Sequence, residues 1–98
     1  MISIKIYKQG GDVLIGACDE ELIGKTFEEG KYFLDVRKEF YDGERVTPEV
    51  LKQFLGDATI ANLVGEKTIE SAIEMELIDS DCVIKIKNVP HAQMVRML

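Results

Sequence analysis

No apolar run in the 98 residues approaches the roughly 18 needed to cross a bilayer, because charges or glycines interrupt every hydrophobic stretch. Residues 1–8, Met-Ile-Ser-Ile-Lys-Ile-Tyr-Lys, lack the basic flank, apolar block and small-residue cleavage site of a secretion signal. No membrane association is expected, and a cytoplasmic location is the default. Histidine occurs once, as His91, which bounds the available proton-transfer chemistry. Cysteine occurs twice, as Cys18 and Cys82, too sparse for a disulfide scaffold and too widely spaced for a paired-thiol metal site. Two free, buried thiols are the expectation. Internal repeats, linkers and low-complexity segments are also missing, so residues 1–98 read as a single globular domain.

What is present is a folding composition. Hydrophobic residues make up 46% of the chain, too many for a disordered segment. Ile2, Ile4 and Ile6 alternate with polar neighbours at the two-residue period of a half-buried strand. Gln9-Gly10-Gly11-Asp12 then supplies a tight turn, and the short apolar run 13–18 predicts the second arm of an antiparallel hairpin. Asp19 is placed as the N-cap of one or two helical turns that end at Gly24. A turn follows at 27–30, a strand is predicted over 32–40, and Asp42-Gly43-Glu44 closes it.

Thr47-Pro48 is a strong helix start, since threonine can cap free amides and proline suits the first helical position. Leu51, Phe54, Leu55 and Ala58 recur at helical spacing, which carries that helix to about Gly56 or Asp57. Ile60–Val64 is a short apolar segment ending at Gly65. A second helix is predicted over 68–78, with Ile69, Ala72, Ile73 and Leu77 on one face and Glu70 and Glu74 on the other. The run 82–87 alternates as a strand with Cys82, Ile84 and Ile86 inward. The apolar tail 88–98 docks as an edge strand or short helix. The pattern predicts an α+β domain: a mainly antiparallel sheet of four to five strands with two helices packed on one face.

Two segments invite a nucleotide-binding reading, and both fail it. Gly24-Lys25-Thr26 has Asp19 where a phosphate-binding loop needs its first glycine, and Glu20 and Glu21 would repel phosphate. Gly65-Glu66-Lys67-Thr68 inserts a glutamate between glycine and lysine. Cys18 with His91, oriented by Asp19 or Asn62, is the smallest acyl-transfer set the chain offers; the simpler account is that Cys18 ends a buried strand and Asp19 caps the next turn. Zinc ligation by Cys18, Cys82, His91 and a carboxylate lacks any local ligand pair, so neither a metal nor a cofactor is expected. Asn62 interrupts an apolar run; it either satisfies a core turn or lines a pocket beside the start of the second helix, where the Gly65 amide could help to bind a small anion. Tyr7, Phe40 and Tyr41 either pack at strand edges or form an aromatic surface.

Four ordered blocks, namely 18–25, Phe40-Tyr41-Asp42-Gly43, 61–66 and Pro90-His91-Ala92-Gln93, give the chain a resemblance to an archaeal family of small proteins known as domain of unknown function 424. The resemblance spans nearly the whole chain and implies a small cytoplasmic single-domain protein. It carries no activity or cofactor, but it marks the polar residues inside the blocks as site candidates: Cys18, Asp19 and His91 for catalysis, and Asn62, Glu66 and Gln93 for ligand binding.

The net charge of −6 is unevenly spread. Residues 1–8 contribute +2 and residues 82–98 contribute +3, leaving −11 between them. If the terminal strands are neighbours, Lys5, Lys85, Lys87 and Arg96 form a basic patch able to meet phosphates; otherwise they are a solvated strand face. The leading expectation is a non-catalytic binding or adaptor module for a protein or ribonucleoprotein partner, with no DNA partner. The alternative is a small enzyme or ligand-binding protein with a polar pocket of Cys18, Asp19, Asn62 and His91. Val95, Met97 and Leu98 are a candidate homodimer contact if they do not pack within their own domain.

Overall fold

The Gly10-Gly11 turn joins β1 (Ile2–Gln9) to β2 (Asp12–Asp19) as an antiparallel hairpin, with Ile2 opposite Asp19 and Gln9 opposite Asp12. Gly10 has φ +61°, the left-handed conformation that a tight hairpin turn needs. The structure, a computed structural model, describes residues 1–96, so Met97 and Leu98 of the candidate dimer contact lie outside the described residues.

After a single 3-10 turn at Glu20–Leu22, the chain forms β3 (Thr26–Glu29) and β4 (Tyr32–Asp35), a separate two-stranded hairpin. Three of the four residues of the predicted turn at 27–30 are therefore strand, and the predicted strand over 32–40 stops at Asp35. Beyond it, residues 38–41 coil into the one-turn helix α1 (Lys38–Tyr41). Next, β5 (Glu44–Val46) pairs antiparallel with β1. Helix α2 (Pro48–Leu55) starts where Thr47-Pro48 predicts: Thr47 Oγ1 accepts from Val50 N at 3.3 Å, while Leu51 and Leu55 are wholly buried.

Strand β6 (Ile60–Val64) runs parallel to β2 and leads into α3 (Glu66–Glu74). The predicted second helix is thus shorter at its end, because Glu76 takes a left-handed φ of +60° and turns the chain away. A 3-10 turn at Ser80–Cys82 precedes β7 (Ile84–Ile86), and β8 (Val89–Val95) returns antiparallel to both β7 and β6.

The sheet order is β5-β1-β2-β6-β8-β7, a mixed six-stranded sheet rather than four to five antiparallel strands. The tail strand β8 is interior, not an edge. Its alternation explains why: Ala92 and Met94 are buried in the main core. Cys82 lies in the turn and is exposed, and Ile84 is 46% exposed, so only Ile86 of the predicted inward trio is buried.

The sheet separates two apolar layers. On one face, Ile2, Ile4, Ile15, Ala17, Ala61, Leu63, Ala92 and Met94 meet Leu51 and Leu55 of α2 and Ile69 and Ala72 of α3. On the other, Cys18, Val64 and Ile86 meet Leu34, Val36 and Tyr41 from the β3–β4 hairpin and α1. The two longer helices do share one face, as predicted, and the second face carries a hairpin cover that periodicity did not reveal. Burying one leucine such as Leu51 contributes about 1.5–3 kcal/mol relative to leaving it in water.

Candidate functional site

Of the residues singled out by sequence, Cys18 is fully buried. Burial first, and then the adjacent Asp19 carboxylate, push its thiol up to about 12. A sulfur held protonated at neutral pH is not an activated nucleophile. His91 is half-buried, and burial lowers its pKa. Cys18 is in register with Val64, and Val64 with His91, so two strand spacings of about 4.8 Å each separate the pair. Proton transfer needs roughly 3 Å, and Val64 stands between them.

Asp19 points to the other face of the sheet. Its carboxylate accepts from Lys67 N at 3.1 Å, Thr68 N at 3.0 Å and Thr68 Oγ1 at 2.8 Å. It makes no side-chain cap to the turn that follows it, so the predicted local N-cap is instead the cap of α3, supplied by a distant strand. That start is therefore already occupied by an anion and is not the small-anion site that the Gly65 amide suggested. Gly65, at φ +105°, is required there, since a Cβ would collide with the Asp19 carboxylate.

Asn62 lies opposite Gln93 on the face away from α3, neither in a core turn nor beside the helix start. The pocket of Cys18, Asp19, Asn62 and His91 thus does not converge: Asp19 is on one face, and the other three are spread over three strands of the opposite face. Tyr7 and Phe40 stack at 5.2 Å, and Tyr7 Oη donates to Phe40 O at 2.9 Å, which is packing against Gly16 rather than an open aromatic surface. Tyr41 is buried. Among the described residues no three His, Cys, Asp or Glu side chains are grouped to hold a metal ion, and no helix is long and apolar enough to cross a membrane.

The basic candidates are also dispersed, because β1 and β8 are separated by β2 and β6. Lys5 Nζ donates to Glu39 O at 2.8 Å on the hairpin-covered face. Arg96 donates to Gly56 O at 2.8 Å beside the end of α2. Lys87 sits in the β7–β8 turn, where its N–H donates to the Glu29 carboxylate at 2.8 Å, and Lys85 faces α3. β1 and β7 are about 19 Å apart at the usual strand spacing, so Lys5 does not join the others.

A different feature is a concavity beside α3. A groove of about 630 Å³ runs between α3 and the β7–β8 hairpin. Its floor is apolar, formed by Ile69, Ile73, Val83 and Pro90. One wall carries Glu66, Glu70 and Glu74 at four-residue spacing along α3, and Lys85 and Ser80 stand opposite. Glu74 is engaged by Lys52 of α2, and among the described residues Glu66 and Glu70 make no salt bridge. Such like-charged neighbours weaken an isolated helix by about 0.2–0.5 kcal/mol per pair. Sequence reasoning marked Glu66 as a ligand residue and noted the Glu70 and Glu74 pair, but the opposing wall of Val83, Lys85 and Pro90 comes from strands whose placement beside α3 is not a local property.

A family model described as "Protein of unknown function (DUF424)" matches residues 7–97. Comparison with curated protein sequences gives no significant match. Among solved structures, the chain is similar to the crystal structure of an uncharacterized conserved protein from Methanopyrus kandleri, with a TM-score of 0.77 and 21% identity over 99% of this chain and 95% of that one. At that identity the likeness establishes a shared fold.

Proposed function

The chain belongs to the DUF424 family of proteins of unknown function, and for this member we propose a non-catalytic binding module that takes a basic segment of a protein partner into the groove between α3 and the β7–β8 hairpin. The partner protein is either free or part of a ribonucleoprotein. The observation that carries this reading is the groove's chemistry: an apolar floor of Ile69, Ile73, Val83 and Pro90 beneath a ladder of carboxylates. The floor rewards burial of aliphatic side chains at about 25 cal/mol per Å², while the ladder attracts cations and repels phosphate. The dispersal of Lys5, Lys85, Lys87 and Arg96 supports protein rather than RNA as the directly contacted component.

Titrating the isotope-labelled protein with a lysine- and leucine-rich peptide tests the reading. Amide shifts are expected at residues 66–74 and 83–90, weakening as salt is raised. No shift in those residues at millimolar peptide removes the proposal. Retarded migration with RNA at low salt, in place of peptide binding, would move the function to a phosphate-bearing partner.

A further inference from the structure

We propose that the uncovered end of the hairpin-side sheet face is a homodimer interface, joining two copies of this chain about a two-fold axis that runs across their strands. The cover on that face stops part-way along the sheet. The β3–β4 hairpin and α1 reach Cys18, Val64, Ile86 and Val89, and Phe40 closes over Gly16. Past that point the strand register sets Leu14 beside Ile60, Ile60 beside Val95 and Asn62 beside Gln93, all with their side chains on the hairpin side. Leu14, Ile60 and Val95 belong to neither apolar layer, and Val95 is 60% exposed. The acidic groove lies on the opposite face, so this inference stands apart from the groove's role.

Shape singles out a second copy as the occupant. A half-covered face is a step, because a hairpin packed on a sheet lies about 10 Å above it, the separation at which two sheets stack face to face. When two such ends meet about a two-fold across the strands, each cover falls level with the partner's sheet. It sits just past the partner's strand ends, since β6 begins at Ile60 and β8 ends at Val95. The product is a lap joint, whereas a flat partner is held off by the cover.

Charge agrees with shape. Each copy carries a net charge of −6, and a two-fold sets a residue near the axis beside its own counterpart, so a charged residue there meets its like. Leu14, Ile60, Asn62, Gln93 and Val95 are all uncharged, and the carboxylate at the rim, Asp12, accepts from Thr59 Oγ1 at 3.2 Å. Asn62 and Gln93 each carry a donor and an acceptor, so like amides can pair across the axis. Area sets the strength. Three strands at about 4.8 Å and five residues at about 3.3 Å give a patch of roughly 14 by 16 Å, well under the ~800 Å² that each partner of a standard complex buries. The dimer is therefore weak and forms at high protein concentration.

Sedimentation equilibrium of the whole chain between about 20 μM and 1 mM tests this, with amide spectra recorded over the same dilution. The average mass is expected to rise from monomer toward dimer, and the amides that shift on dilution are expected at residues 60–62 and 93–95 rather than 66–74. Raising salt from about 50 to 500 mM is expected to tighten the dimer about twofold by screening the repulsion between two −6 charges, the reverse of its effect on a basic peptide in the groove. Val95→Lys and Gln93→Lys, both at exposed positions, are each expected to weaken association about tenfold without lowering the urea midpoint. Either lysine makes the copies less acidic, which by itself favours association, so weakening locates the contact. Monomer mass throughout at 1 mM overturns the inference. So do an undiminished dimer in a folded lysine variant, dilution shifts confined to other residues, and a dimer that salt loosens.

Discussion

Asp19 and Thr68, 49 residues apart, are joined by two hydrogen bonds to one carboxylate oxygen, from Thr68 N at 3.0 Å and Thr68 Oγ1 at 2.8 Å. With Lys67 N on the second oxygen, the last residue of β2 satisfies the free amides at the start of α3. Both residues are buried, so no water stands ready to replace either partner. The bond fixes the helix that forms the acidic wall of the groove against the strand at the centre of the sheet.

Asp19→Ala is expected to lower stability by about 1–3 kcal/mol, from the lost cap and the buried donors it leaves unpaired. At roughly 4–8 °C per kcal/mol for a domain of this size, the fall in Tm is readily seen in a thermal melt. Asp19→Asn retains an acceptor oxygen and loses the charge at the helix start, so its loss should be the smaller of the two. Equal stability of all three proteins would remove the capping role.

The two thiols should differ sharply in reactivity. Cys82 is exposed and Cys18 is buried, with its pKa near 12. An aromatic disulfide reagent at pH 8 is expected to modify Cys82 quickly in the native protein and Cys18 only after denaturant is added. Rapid native labelling of a Cys82→Ser variant would contradict the burial of Cys18.

Glu70→Lys is expected to change stability by no more than a few tenths of a kcal/mol: Glu66 and Glu74 become opposite-charge neighbours worth about 0.2–0.5 kcal/mol each, while the new cation faces Lys67 and Lys52. Urea unfolding measures that term. A residue whose replacement leaves the fold intact and weakens capture of basic peptides serves binding, and a marked loss of stability would instead give Glu70 a structural role.

His91 makes stability pH-dependent in a known sense. Burial lowers its folded pKa below the ordinary value of about 6.5, so the unfolded chain binds the proton more readily. Its contribution is fully present above the unfolded pKa and is lost as pH falls from there toward the lower folded value. Urea midpoints of the parent protein are expected to drop between pH 7.5 and 5.5 more steeply than those of His91→Gln. Parallel curves would mean that the imidazole is equally hydrated in both states.

Much of the local structure was legible in the residues themselves. Gly10-Gly11 marked the first hairpin, Thr47-Pro48 marked the start of α2, and the apolar spacing of Ile69, Ala72 and Ile73 marked the buried face of α3. The site was legible only in fragments: Glu66, Glu70 and Glu74 share one side of a helix by spacing alone, while the misassignments gathered where local patterns had two solutions. The run 82–87 alternates cleanly, yet Cys82 belongs to a turn and Ile84 is exposed, because β7 is a short edge strand with no cover at that end.

The sequence by itself determined what acts over a few residues: turn conformation at glycine, capping by Thr47, and the period that separates apolar from polar faces. These are set by sterics and hydrogen bonds between near neighbours. Only the tertiary structure decided the strand order, the position of β8 inside the sheet, the capping of α3 by Asp19 and the meeting of α3 with Val83, Lys85 and Pro90 across a groove. Each of those depends on which of several apolar faces pair across long loops. That choice is made by the packing of the whole core, and no window of neighbouring residues contains it.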